Sequence, residues 1–177
     1  MISRAHEVPG ATLIVGIDPG ITCGVCEFKV GESLPQLYSL DPEGLICKVE
    51  ELISRAENLE HLYLVVEKFL LYPSRAAGQS LSTLVTAEEI GVIKYLVSRQ
   101  DPNRVSLAIQ TAAQVKPWAN EKTLFSLKFW NLTPEFWKKS DRHAHDAARH
   151  LAYFVMNGRF EKVMGMMHSK SRFVEGI

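Results

Sequence analysis

Apolar and polar positions along the chain alternate between the period of strands and the period of helices. The run ATLIVGID (11–18) is apolar and β-branched and ends on Asp18-Pro19-Gly20, which predicts a strand stopped by a turn. GVCEFKV (24–30) alternates and pairs naturally with it, and LPQLYSL (34–40) reads as a weaker third strand. Asp41-Pro42-Glu43 offers an N-cap, a proline at the first helical position and an acidic first turn, predicting a helix to about Ala56. HLYLVVE (61–67) is a fourth, strongly β-branched strand ending in Glu67, and KFLLYPSRAAGQ (68–79) reads as a loop. SLSTLVTAEEIGVIKYLVSRQ (80–100) has helical periodicity, with Leu81, Leu84, Val85, Ile93, Leu96 and Val97 available for one buried face before Asp101-Pro102-Asn103 breaks it. RVSLAIQ (104–110) is a fifth strand and EKTLFSLKFW (121–130) a short helix. HAHDAARHLAYFVM (143–156) is a helix whose apolar positions Ala147, Leu151 and Phe154 recur at spacings of four and three.

The order β-β-β-α-β-α-β-α-α predicts an α/β fold: a five-stranded mixed sheet, an antiparallel meander followed by parallel strands, flanked by helices. No repeat, low-complexity tract or Gly/Ser linker divides the 177 residues, so one domain over 1–157 with a tail over 158–177 is expected. Apolar runs such as Ala11 to Ile17 are far short of the roughly 18 residues a membrane span needs. The first residues lack a signal peptide's continuous apolar segment, and a cytoplasmic protein is expected. Cys23, Cys26 and Cys47 are an odd set, which argues against a disulfide framework. Cys23 and Cys26 form a C-x-x-C without a second ligand pair at zinc-finger spacing. In a strand they point to opposite faces, so they read as small buried apolar side chains.

Charge adds a polarity that composition hides. Twenty basic residues balance twenty acidic ones, yet residues 1–67 carry four basic and eleven acidic residues, and residues 68–177 carry sixteen and nine. A solvated acidic helix explains the first half equally well, so this polarity bears on a polyanionic partner only once a site is located.

Two strands run apolar and end on an acid, Asp18 and Glu67. Acids in buried β-runs are costly unless paired, and neighbouring strands would place both at one site. A third acid, Asp146, lies on the last helix, with His143 one turn before it and His150 one turn after it on the same helical face. Hard oxygen ligands from three elements suit Mg²⁺ or Mn²⁺ better than zinc. Taken singly, each has a plainer reading: Asp18 as a turn residue, Glu67 as a solvated strand end, Asp146 as a surface charge paired with Arg142 or Arg149. His143 reads as a metal ligand or general base, His145 as surface, and Asp141 as the N-cap of the last helix.

At these residues, VGIDPGITCGVCEF, then LVVEKF, then HAHDAA in that order and spacing, the sequence resembles the RuvC-type Holliday junction resolvases of the RNase H-like superfamily. The likeness runs over about residues 12–155, and its divergence suits a bacteriophage member. It implies a homodimeric, Mg²⁺-dependent endonuclease, with Mn²⁺ as a substitute, that nicks two strands of four-way DNA symmetrically in recombination, repair or the clearing of branched DNA. On the same resemblance Asp18, Glu67, Asp146 and His143 are metal ligands and catalytic residues. QVKPWANEKT places Lys116 and Lys122 where the family has lysines facing DNA, although the segment is shorter and lacks a Gly-rich turn, and His143 stands where many members have aspartate. Lys68 and Arg75 join these as DNA-binding candidates. Phe69, Leu70 and Tyr72 have two readings, a wedge at the junction centre or a cover for the sheet end. Trp118 and Trp130 read as core. The helix over 80–99 has more apolar residues than one face needs, which suits a two-fold dimer. The alternatives are a nuclease of this fold acting on flap DNA or structured RNA, and a non-catalytic branched-DNA-binding module. A nucleotide-dependent ATPase or sugar kinase of this superfamily would need a second lobe for which the chain has no room.

Overall fold

The computed structural model describes residues 10–68, 81–126, 137–138 and 140–157. Five strands form one sheet: β1 (Thr12–Asp18), β2 (Cys23–Lys29), β3 (Gln36–Leu40), β4 (His61–Lys68) and β5 (Val105–Thr111), in the spatial order β3-β2-β1-β4-β5. β1, β2 and β3 pair antiparallel, and β4 and β5 add parallel to β1, so the sheet has the predicted mixed topology. The helices are α1 (Pro42–Arg55), α2 (Leu81–Ser98), the short α3 (Ala112–Val115) and α4 (Glu121–Ser126), and α5 (Arg142–Met156).

Local chemistry sets the helix starts. Asp41 accepts the Gly44 N–H at 2.7 Å with Pro42 at the first helical position of α1, and Asp141 accepts the His143 N–H at 2.7 Å at the start of α5. Each satisfies an N–H that the first turn of a helix leaves without a partner. The turn expected after α2 is closed by Asp101, whose carboxylate accepts the Asn103 N–H at 2.9 Å.

The sheet separates two cores. On one face Leu13, Val15, Ile17, Val25, Leu62, Leu64 and Val66 pack against Leu45, Val49 and Leu52 of α1 and Ile90 and Ile93 of α2. On the other, Ile14, Cys26, Phe28 and Val65 pack against Ala147, Ala148, Leu151 and Val155 of α5. Side chains such as Ile14 and Leu151 are fully buried, and each contributes about 1.5–3 kcal/mol relative to exposure. Cys23 and Cys26 divide between the two cores, as strand alternation requires, and neither they nor the exposed Cys47 forms a disulfide.

α5 lies directly on the backbones of β1 and β2, and glycine makes this possible. A Cβ on Gly16 would collide with the Ala147 carbonyl, and one on Gly24 with the His143 carbonyl. Both partners are helix backbone, which cannot step aside.

Two expectations change and one alternative falls away. On α2, Ile90 and Ile93 are buried while Leu84 is 61% exposed and Val85, Leu96 and Val97 are half-buried; the side chain of Leu81 lies outside the described residues. The helix carries apolar residues on more than one side, so spacing alone does not select the face that meets the sheet. His145 is not simply surface: its ring stacks on Trp137 with centroids 4.1 Å apart, and Nε2 lies 2.8 Å from both the Trp137 carbonyl and Ser140 Oγ. Asp146 does pair with Arg149, but it is only 6% exposed and so is not a surface charge. Trp118 packs on the α5 core beside Tyr153, as expected of a core residue; Trp130 lies outside the described residues. No described helix is long and apolar enough to cross a membrane.

Candidate active site

Parallel pairing of β1 and β4 brings Ile17 opposite Val66, so Asp18 and Glu67 follow as neighbours at the strand ends. Alternation turns both toward the face that carries α5, the side of Ile14, Gly16 and Val65. Glu67 is in turn opposite Gln110 of β5. The glycine-lined approach of α5 then sets its first three turns against these ends. His143 Nδ1 lies 3.0 Å from Asp18 Oδ2, and His150 Nε2 lies 2.9 Å from Glu67 Oε2.

Lys116 reaches the same place by another route. Thr111 at the end of β5 caps α3, its hydroxyl accepting the Gln114 N–H while the Gln114 side chain accepts the Thr111 N–H. The buried Val115 anchors this single turn, and the next residue, Lys116, extends its ammonium to within 3.2 Å of Asp146 Oδ2. Arg149, one turn along α5, holds Asp146 Oδ1 and lies 3.7 Å from Glu121.

The acids differ in their electrostatics. Burial, and next the Glu67 carboxylate, push the Asp18 carboxyl from its ordinary 3.8 up to about 6, with Asp146 adding to the rise and the His143 hydrogen bond opposing it. Burial also pushes Asp146 upward, but Lys116 and Arg149 outweigh it and hold the group below its ordinary value. Asp18 therefore sits amid uncompensated negative charge, whereas Asp146 is neutralised by two cations.

The donors are of the right kind for a hard divalent cation: three carboxylates and an imidazole, with excess negative charge at Asp18 that a dication would offset. Among the described residues, however, no three such side chains converge in metal-holding geometry. The reason is visible in their partners: Asp146 is turned to Lys116 and Arg149, and Asp18 to His143. Lys122 is exposed on α4, and no described hydrogen bond or ion pair ties it to the cleft. Lys68 is exposed at the end of β4, one residue past Glu67 and so on the opposite face of the strand. Phe69, Leu70, Tyr72 and Arg75 lie outside the described residues.

Sequence reasoning named Arg149 as a partner of Asp146 but left out Gln110 and the contact of His150. It also left out Glu89 of α2, which is 4% exposed behind Asp18. Cys23 Sγ lies 2.9 Å from the Gly20 carbonyl and 3.0 Å from Glu89 Oε1. Burial pushes the Cys23 thiol up to about 12, so it remains protonated and donates rather than reacts. Burial likewise raises the Glu89 carboxyl above the usual carboxylate range. An acid at a helical position among Val85, Ile90 and Ile93 was the available signal.

No protein-family model matches the chain, and no curated protein sequence does. Solved structures do. T. thermophilus RuvC in complex with a Holliday junction substrate superposes with a TM-score of 0.54 at 16% identity, covering 83% of this chain and 96% of that one. A second Thermus thermophilus RuvC structure gives 0.52 at 16% identity, over 82% and 96%. The chain therefore has a RuvC-like fold.

Proposed function

We propose that this protein is a Holliday junction resolvase: a metal-dependent endonuclease that nicks four-way DNA by phosphodiester hydrolysis. The observation that carries the reading is that Asp18, Glu67, Asp146, His143 and Lys116, from four places in the chain, gather at one end of a RuvC-like sheet. Asp18, Glu67, Asp146 and His143 would hold Mg²⁺ or Mn²⁺, which supplies activation of water and stabilisation of the leaving oxygen when bound. Lys116 and Arg149 keep Asp146 ionised while the cleft is without substrate. A scissile phosphate competes for the Lys116 ammonium, which releases Asp146 Oδ2 and places a cation where charge develops on the phosphate. His143, oriented through Nδ1 by Asp18, can exchange a proton through Nε2. Lys68, Arg75 and Lys122, with Phe69, Leu70 and Tyr72, are proposed as the wider DNA surface, contacting phosphates and the junction centre.

Two-fold cutting needs two copies. Leu84, Val92 and Tyr95, exposed by 61%, 39% and 63%, recur along one side of α2 at spacings of eight and three. This stripe supports dimerisation through α2, with one cleft for each of two strands.

The test is incubation of the purified protein with end-labelled four-way junction, flap, linear duplex and RNA hairpin, with Mg²⁺ or with EDTA. Paired symmetric nicks on the junction, lost with EDTA, are expected. Cleavage of flap or RNA alone would replace the junction reading, and binding without cleavage in any metal would leave a non-catalytic DNA-binding module.

A further inference from the structure

His150 is fully buried on α5, with its two ring nitrogens between two side chains of neighbouring strands. Nδ1 is 3.1 Å from the amide oxygen of Gln110, itself 6% exposed, and Nε2 is 2.9 Å from Glu67 Oε2. Gln110 and Glu67 are paired positions of β5 and β4, so the ring closes a bridge across adjacent strands. Glu67 Oε2 and His150 Nε2 face one another at ion-pair distance, yet as placed neither makes an aligned hydrogen bond.

The placement has one consistent resolution for a neutral ring. If Nδ1 donates to the Gln110 oxygen, Nε2 turns a lone pair on a carboxylate, and two acceptors meet in a buried space. If the amide is turned so that its NH₂ donates to Nδ1, Nε2 carries the proton and donates to Glu67. The two amide orientations have nearly the same shape, so electrostatics selects between them.

We propose that His150 is a positioning residue for Glu67: its Nε2–H holds Oε2, leaving Oε1 to face the cleft, and Gln110 sets the tautomer that makes this possible. Donation from a neutral imidazole fixes the carboxylate without cancelling its charge. Glu67 is thus held by a hydrogen bond, unlike Asp146 beneath its two cations. The role rests on the reading of Glu67 as a metal ligand.

The experiment has two readouts. The first is ¹⁵N NMR of histidine-labelled, metal-free protein, with the His150 resonances assigned by their loss in His150→Met. A proton on Nε2 and none on Nδ1 is expected; an unprotonated Nε2, or a ring protonated on both nitrogens, overturns the proposal. The second is Mn²⁺ binding by calorimetry in wild type, His150→Met, His150→Gln and Gln110→Met. Loss of an outer partner of a ligand typically weakens metal binding tenfold to hundredfold. His150→Met is expected to show that loss, and His150→Gln, which keeps an N–H donor, to recover most of it. If His150→Met does not fold, Gln110→Met decides: a weaker Mn²⁺ affinity supports the bridge and an unchanged one overturns it. Wild-type affinity in His150→Met overturns this role alone, whereas wild-type protein that takes no Mn²⁺ overturns the metal reading and the role with it.

Discussion

Glu27 and Asp18 are both acids on the two central antiparallel strands, and both are largely removed from water, with side chains 8% and 14% exposed. Their surroundings are opposite. Glu27 faces α1, where Lys48 lies at 2.8 Å and Arg55 at 3.6 Å, and the Tyr38 hydroxyl donates to it. Asp18 faces α5, where the nearest charges are Glu67 and Asp146 and its hydrogen-bond partner is a histidine. Burial is thus no guide to what an acid does. Glu27 is compensated by its own fold and cements α1 to the sheet. Asp18 sits instead among other carboxylates, the kind of crowding that perturbs a pKa and recurs at functional sites.

The largest expected effect separates the two acids by chemistry. Asp18→Asn should lower junction cleavage by roughly a thousandfold, the scale on which one electrostatic contact to a transition state acts, measured in single-turnover assays with folded protein. The same substitution should stabilise the metal-free protein at neutral pH. Because the folded carboxyl titrates above its unfolded value, wild type is favoured at low pH and loses stability as pH rises from 3.8 through about 6. The neutral amide avoids that loss, on the order of 3 kcal/mol at most for such a rise. Denaturant midpoints of the two proteins should coincide near pH 3.5 and diverge above pH 6. Convergence at pH 7.5 would contradict the crowded-acid picture.

Gly24→Ala should come next, with a loss of about 3 kcal/mol or more, since the added methyl meets the backbone of α5. Glu27→Gln should destabilise by about 1–3 kcal/mol, a buried-pair loss reduced because Lys48 and Arg55 are partly solvated. Its cleavage rate per folded molecule should be that of wild type; a rate defect would erase the contrast with Asp18. Mn²⁺ at a hundred times its dissociation constant should raise the stability of wild type and Glu27→Gln alike by about 2.7 kcal/mol, and leave Asp18→Asn nearly unmoved. The smallest effect belongs to Lys116→Met, which should flatten the dependence of log affinity for junction DNA on log salt by about one.

The Asp18 side of this contrast could be read from sequence because it is local, whereas the partners of Glu27 could not. An apolar run that ends on an acid marks Asp18 and Glu67 whatever surrounds them, and Asp41 and Asp141 cap helices by contacts two or three residues away. Asp146 and His143 follow from helical spacing once the helix is recognised. Features that depend on which helix crosses which strand were not legible. Gly16 and Gly24 look like any strand glycines until α5 lies on them. Glu89 and His150 look like ordinary polar positions on their helices until packing encloses them. The buried side of α2 was misassigned at Leu84 for the same reason: its apolar residues surround the helix, and only the sheet chooses among them.

The docking of α5 also orders events in time. Asp18 and Glu67 emerge early during synthesis, but the helix that carries His143, Asp146 and His150 begins at Arg142 and comes last among the described elements. A nascent chain released before that point holds two crowded acids at the end of a sheet whose second face is bare. Whatever chemistry the cleft performs is therefore withheld from truncated products, and arrives in the same step that seals the second core.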